Sequence, residues 1–190
     1  MGAGGVIPPP ATYFEKIQPI LKAYDILFVV DEVICGFGRT GNMWGCNTYD
    51  IRPDMVTWAK QLSSGYLPIS ARMISEKIYD VFKEQSRKHG AFGMGYTYGG
   101  HPVSCAVALE TLKIYEERDM IGHVQSVAPH FLERLSELSD SSIVGETRGV
   151  ELHAALQLVS HKSRRAQLPT YAQPPPASTT TARATGPSRL

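Results

Sequence analysis

The chain has 190 residues, 43% hydrophobic and 19% charged, with a formal net charge of +1. That is enough for one ordinary domain with a core, and the composition is that of a soluble globular protein and not of a disulfide scaffold. Residues 1–151 hold all 18 acids against 14 of the 19 Lys and Arg, a net −4, so nothing there marks a nucleic-acid partner and the basic excess belongs to the tail.

In chain order, MGAGGVIPPP reads as a loop. Phe14, Ile17, Ile20 and Leu21 stand at helical spacing and predict a helix over 11–24, with Thr12 as N-cap and Pro19 as an interruption. The continuous apolar run 26–30 predicts a parallel strand covered on both faces. Residues 55–59 and 69–74 read as two further strands. Alternating helix and strand argue for α/β architecture with a mostly parallel sheet. A short helix is expected over 76–82. A long loop rich in glycine and aromatics should follow over 83–101, and loops of that length usually serve function. Helices are expected over 103–115 and over 124–138, the second carrying Phe131, Leu132, Leu135 and Leu138 as its apolar stripe. Strands over 143–144 and 150–159 would begin a second, smaller unit. The division is 1–116, 117–159 and 160–190. The last segment has no acid, five prolines and Ser/Thr repeats, and is expected to be disordered.

Three cysteines, Cys35, Cys46 and Cys105, without a CxxC pair point to a reducing compartment. No apolar run nears the ~18 residues of a membrane span. The N-terminus has neither the basic flank nor the apolar core of a signal peptide. A cytoplasmic location without membrane contact is therefore expected, with a mitochondrial one open to a longer form. His89, His123, His130, His153 and His161 show no ligand spacing, so no metal site is expected.

Two features between residues 28 and 60 could carry chemistry. Gly36-Phe37-Gly38-Arg39-Thr40-Gly41 matches GxGxxG after a strand. Four residues separate it from that strand, however, and NMWGCNTYDIRP, not a helix, follows it. A glycine-rich turn crossing the mouth of a crevice is the better reading, with a nucleotide-binding oxidoreductase as the alternative. The second feature is the pair Asp31 and Lys60, each at the carboxyl end of an expected strand, where open α/β sheets place ligands. Either residue alone has an ordinary explanation, a loop acid or an exposed lysine, and spacing leaves both open.

DEVICGFGRTG, AKQLSSGYLPISA and TYGGHPVSCAVALETL, in that order, resemble the class III (omega-type) aminotransferases. The resemblance covers roughly residues 1–158. It implies the type I pyridoxal-phosphate-dependent transferase fold, a partial large domain followed by the start of a small one. It further implies pyridoxal 5′-phosphate as cofactor and Lys60 as the catalytic lysine forming a Schiff base. Asp31 would contact the pyridine nitrogen, Val33 would pack on the ring face, and Thr97 would bind the phosphate of the partner subunit in a homodimer. The implied reaction moves an amino group from an amine or ω-amino acid to a keto acid. The chemistry suits those residue types. A carboxylate keeps a ring nitrogen protonated, and a lysine in a dry site deprotonates readily.

Departures from the family are also legible. Members are more than twice as long, and the segments holding most of the phosphate are missing. Isolated, the chain is expected to fold marginally and bind cofactor poorly, so an inactive fragment that pairs with a full-length protein is a further alternative. Arg148 in TRGVEL matches an element that grips substrate carboxylates in some members, but Glu151 stands where glycine is usual, and no role is expected for Arg148. His101 reads as structural, Cys35 and Cys105 as buried packing residues, and Trp44 and Tyr66 as aromatic core.

Overall fold

The computed structural model describes residues 1–164 except residue 3, together with residues 166–167. Three strands form the first sheet: β1 (Val29–Asp31), β2 (Met55–Trp58) and β3 (Ala71–Ile74), in the order β1-β2-β3. β1 and β2 are parallel, with Asp31 opposite Thr57. β2 and β3 are antiparallel, so the sheet is mixed rather than mostly parallel. The cause lies in the β2–β3 connection, which contains one 3₁₀ turn (Lys60–Leu62) and no crossover helix to carry the chain back. The run 26–30 becomes strand only from Val29, where β2 pairs with it. Val29 is 50% exposed and Ile26 and Leu27 are exposed as well, so β1 is not covered on both faces.

α1 (Tyr13–Ala23) forms as expected and keeps Pro19 within it. Its half-buried face is Phe14, Ile17 and Leu21. Phe14 packs on Phe28 and Tyr49. Gln18 fastens the helix to the loop before β2, donating to the Asp50 carbonyl and accepting from Arg52 N–H. Thr12 holds the N-cap position in a left-handed conformation but makes no side-chain capping bond. After the four-residue α2 (Gly45–Thr48), α3 runs from Glu76 to His89, longer than the expected 76–82. Residues 83–89 are all fair helix formers, and Arg87, Lys88 and His89 sit where the helix dipole favours positive charge. Gly90 (φ 84°) ends the helix, its N–H returning to the Ser86 carbonyl at 2.8 Å. The aromatic loop therefore begins at about residue 90.

α4 (Pro102–Glu117) opens on a proline, which fits a first turn that needs no N–H there. α5 (Met120–Glu137) starts four residues before the expected 124, because Asp119 caps it by accepting from Gly122 N–H. Its inward face is Ile121, Val124, Ala128, Leu132 and Leu135, while Phe131 and Leu138 of the expected stripe are exposed. β4 (Val144–Val150) and β5 (His153–His161) form an antiparallel hairpin turning at Glu151–Leu152. Residues 145–149, which separate the two expected strands, are strand as well, held by pairing with β5. The tail boundary also shifts. β5 passes residue 160, and β6 (Ala166–Gln167) pairs with it, while the rest of the expected disordered segment lies outside the described residues.

One core cluster holds Phe37, Leu62 and Ala108, with Met43, Trp44, Trp58, Leu112 and Tyr115 packed around them. Trp44 and Trp58 stack at 4.5 Å and 13°, and Phe37 meets both edge-on. Such contacts contribute beyond their buried area.

Candidate active site

The parallel β1/β2 pair delivers two chain ends to one edge of the sheet. Asp31 ends β1, and the ladder continues one residue further as Glu32 N–H donates to the Thr57 carbonyl at 3.0 Å. Lys60 follows Thr57 by three residues on the neighbouring strand. The two residues singled out from sequence are therefore brought to adjoining strand ends. Asp31 Oδ1 accepts from Val33 N–H at 2.9 Å, a local turn that orients the carboxylate. Asp31 and Lys60 are both exposed, and among the described residues Lys60 has no ion-pair partner.

Lys60 adopts φ +36°, in the left-handed region that costs a non-glycine residue about 1–3 kcal/mol and clusters at functional positions. Its turn is fastened from three directions. Leu62 is buried in the core cluster. Gln61 Nε2 donates at 2.8 Å to the carbonyl of Ile34, on the segment leaving Asp31. From α4, the Tyr115 hydroxyl donates to the Gln61 carbonyl at 2.7 Å and also meets Ser64 Oγ at 2.8 Å.

Glu32 is a fully buried charged side chain beside Asp31, 1% exposed. Its carboxylate accepts from Gly45 N–H at 3.0 Å and Cys46 N–H at 2.6 Å. Burial, and then the Glu32 carboxylate, push the Cys46 thiol up to about 12, and the same two causes raise Cys35. Burial and the raised pKa both disfavour the thiolate, the reactive form of either cysteine. Cys35 and Cys46 are buried and Cys105 is half-buried, all as free thiols. Sequence reasoning missed Glu32, Gln61 and Tyr115. Glu32 adjoins Asp31 and could have been noticed, but nothing in the sequence links Tyr115 to residue 61.

Val33 and Thr97 are placed differently. Val33 lines an open groove of about 1120 Å³, together with Trp58, Tyr79, Phe82, Phe92 and Tyr96. Asp31 lines a smaller space of about 290 Å³ under the N-terminal prolines. Thr97 begins an exposed turn, closed by Gly99 N–H on the Tyr96 carbonyl, and no described contact joins it to Asp31 or Lys60. Asp31 and Lys60 thus stand at adjoining strand ends, and no described contact brings Thr97 to either.

The glycine loop is not a nucleotide cradle, nor does it cross the mouth of a crevice. Gly36, Phe37, Gly38, Thr40 and Gly41 are all buried, and the next helix starts only at Gly45. At Gly38 (φ 96°) a β-carbon would lie 2.7 Å from Ile121 Cδ1 of α5, and at Gly41 (φ 76°) one would lie 2.9 Å from Glu151 Cγ. Gln125 of α5 also donates to the Gly41 carbonyl at 2.6 Å. The glycines are seats on which α5 and the β4–β5 turn are packed. Arg148 is committed elsewhere, with its Nε donating to the carbonyls of Gly5 and Val6. His101 holds the N-cap position of α4, Trp44 belongs to the core, and Tyr66, expected as core, is 80% exposed. Among the described residues no group of His, Cys, Asp and Glu is arranged to hold a metal ion.

The fold is that of transaminases. The chain superposes on a transaminase bound to L-alanine with a TM-score of 0.86 and 52% identity, covering 90% of this chain and 40% of that one. It superposes on the omega transaminase from Pseudomonas jessenii in complex with PMP with a TM-score of 0.85 and 48% identity, covering 88% and 37%. The family model for Aminotransferase class-III matches residues 1–184, past the 158 where the sequence resemblance fades, and the chain belongs to that family. Among curated relatives it is 61% identical over 163 residues to gamma aminobutyrate transaminase 3, chloroplastic, of Solanum lycopersicum, covering 86% of this chain and 31% of the relative. It is 60% identical over 163 residues to the probable mitochondrial gamma-aminobutyrate transaminase 3 of Oryza sativa subsp. indica, covering 86% and 32%. The chain thus spans about a third of the length of these relatives.

Proposed function

We propose that this chain carries the cofactor-attachment part of a pyridoxal-phosphate-dependent aminotransferase, which moves an amino group from an amine or ω-amino acid to a keto acid. The observation that carries the reading is the placement of Asp31 and Lys60 at adjoining parallel strand ends, bridged by the bond from Gln61 to Ile34. The donor set suits the cofactor: an oriented carboxylate for a ring nitrogen, an amine for an aldehyde and an apolar Val33 between them in sequence. Bound pyridoxal phosphate would supply the aldehyde that carries the amino group and the ring that takes up electrons from the substrate's broken C–H bond. Asp31 would hold a proton on the ring nitrogen. Lys60 Nζ would attach the cofactor and, once displaced by substrate, take the proton from the carbon bearing the amine and return it. Thr97 would serve the phosphate site of a partner subunit in a homodimer, a reading supported by its exposure in a projecting turn. The relatives' names favour γ-aminobutyrate as amino donor of the complete enzyme and an organellar compartment for it. The division into a large-domain part (1–116) and the start of a small domain (117–159) belongs to the same proposal, supported by the separate β4–β5 sheet.

The test is incubation with pyridoxal phosphate, reduction with borohydride and peptide mapping. The label is expected on Lys60, with a visible absorbance band that disappears in Lys60→Ala. Equal labelling of exposed lysines, unaffected by that substitution, would sink the reading.

A further inference from the structure

The left-handed backbone at Lys60 needs a physical support. Its own turn supplies bonds from Leu62 N–H to the Ala59 carbonyl at 2.8 Å, from Ser64 N–H to the Gln61 carbonyl at 3.2 Å and from Ser63 N–H to the Lys60 carbonyl at 3.3 Å. Two side chains tie that turn to distant parts of the chain. Gln61 reaches 27 residues back to Ile34, and Tyr115 reaches 54 residues to the Gln61 carbonyl. The orientation of each is chemically fixed. The Gln61 amide must present its NH₂ to Ile34, since its oxygen would face another carbonyl oxygen. Tyr115 has one hydroxyl proton, spent on Gln61, so Ser64 is the donor in the remaining bond to the Tyr115 oxygen. The Tyr115 ring is in turn fixed against Phe37, 6.3 Å away.

We propose that Gln61 and Tyr115 are positioning residues: together they clamp the 60–64 turn to the chain leaving Asp31 and so set where the Lys60 amine stands relative to the Asp31 carboxylate. Neither residue touches the reacting groups. Ile34 lies three residues from Asp31 and Gln61 is adjacent to Lys60, so one hydrogen bond couples the two strand ends across the space between them. The proposal rests on the reading of Lys60 as the attachment lysine for its consequence, but the clamp itself can be measured without cofactor.

The variants are Gln61→Met, which keeps length and removes the donor, and Tyr115→Phe, which keeps the ring and removes the hydroxyl. In the full chain, amide hydrogen exchange at Ser63, Ser64 and Tyr66 is expected to quicken about tenfold in both, while the β4–β5 hairpin keeps its protection. The rate of borohydride-trapped pyridoxal phosphate on Lys60, taken relative to exposed Lys22 and Lys83 in the same sample, is expected to fall about tenfold, as a small misplacement of a reacting group does. Unchanged exchange at those amides, or a uniform rise across the whole chain, overturns the clamp. An unchanged labelling ratio overturns its role in placing the amine. If the unsubstituted chain shows no preference for Lys60, the attachment reading fails instead, and the exchange result alone decides the clamp.

Discussion

Glu32 occupies a position where a charge is costly unless it is fully bonded, and both of its described hydrogen bonds go to backbone N–H groups opening α2. Glu32→Gln keeps the shape but offers one acceptor where two donors wait, and turns an NH₂ toward the other. It is expected to lower unfolding free energy by about 1.5–3 kcal/mol, read from the urea midpoint. Burial and then the Glu32 carboxylate raise Cys46, and the substitution removes the second cause, so iodoacetamide at pH 8 should label Cys46 faster in the variant, whereas in the parent the half-buried Cys105 reacts first. Equal labelling of Cys46 in both proteins would contradict this account. His153 gives a second residue-scale prediction. It is buried, its Nδ1 has no partner among the described residues, and burial, assisted by the Arg39 charge, lowers its pKa below 6.5. A histidine kept neutral in the fold accepts its proton more readily when unfolded. Its contribution is therefore fully present above about pH 6.5 and is lost as pH falls through the folded value. His153→Leu should flatten the stability profile below pH 6.5, by at most about 1.4 kcal/mol per pH unit.

Among the elements, the glycine loop decides whether the two parts of the chain stay in register. Gly41 has a positive φ and lies under the Glu151 side chain, so Gly41→Ala adds both backbone strain and a collision. A loss of about 1–3 kcal/mol is expected, with quickened hydrogen exchange at the Glu151–Leu152 turn. Exchange confined to the loop itself would show that the hairpin does not depend on this seat. The loop also shows what the sequence makes legible. Glycines at 36, 38 and 41 announce close approach but not what approaches, because Ile121 and Glu151 come from more than 80 residues away. Helices α1 and α4 were readable because apolar spacing and a first-turn proline act locally. GETRG was not, since its strand form depends on β5 across the hairpin. For the candidate site, the placement of Asp31 and Lys60 at strand ends was legible from the apolar runs before them. Glu32, Gln61 and Tyr115 were not, because their work is done by bonds to backbone far along the chain.

At the scale of the whole molecule, the described surface leaves much apolar area uncovered. Val29, Ile26 and Leu27 beside the sheet, and Phe92, Met94, Tyr96 and Tyr98 in the aromatic loop, are all more than a third exposed. A parallel sheet ordinarily has both faces covered, and an uncovered β1 edge is a template for further pairing. The relatives are about three times as long. The isolated 20.9 kDa chain should therefore self-associate at micromolar concentration in sedimentation velocity and bind a hydrophobic dye. Replacing Tyr96 and Tyr98, at 78% and 81% exposure, by serine should reduce dye binding without lowering the urea midpoint, since neither side chain belongs to the core cluster. Pyridoxal phosphate bound to this chain alone is expected to be readily lost on dialysis before reduction, because no described contact joins Thr97 to Lys60. A monodisperse monomer that keeps its visible absorbance through dialysis would show that this third of the fold is sufficient by itself.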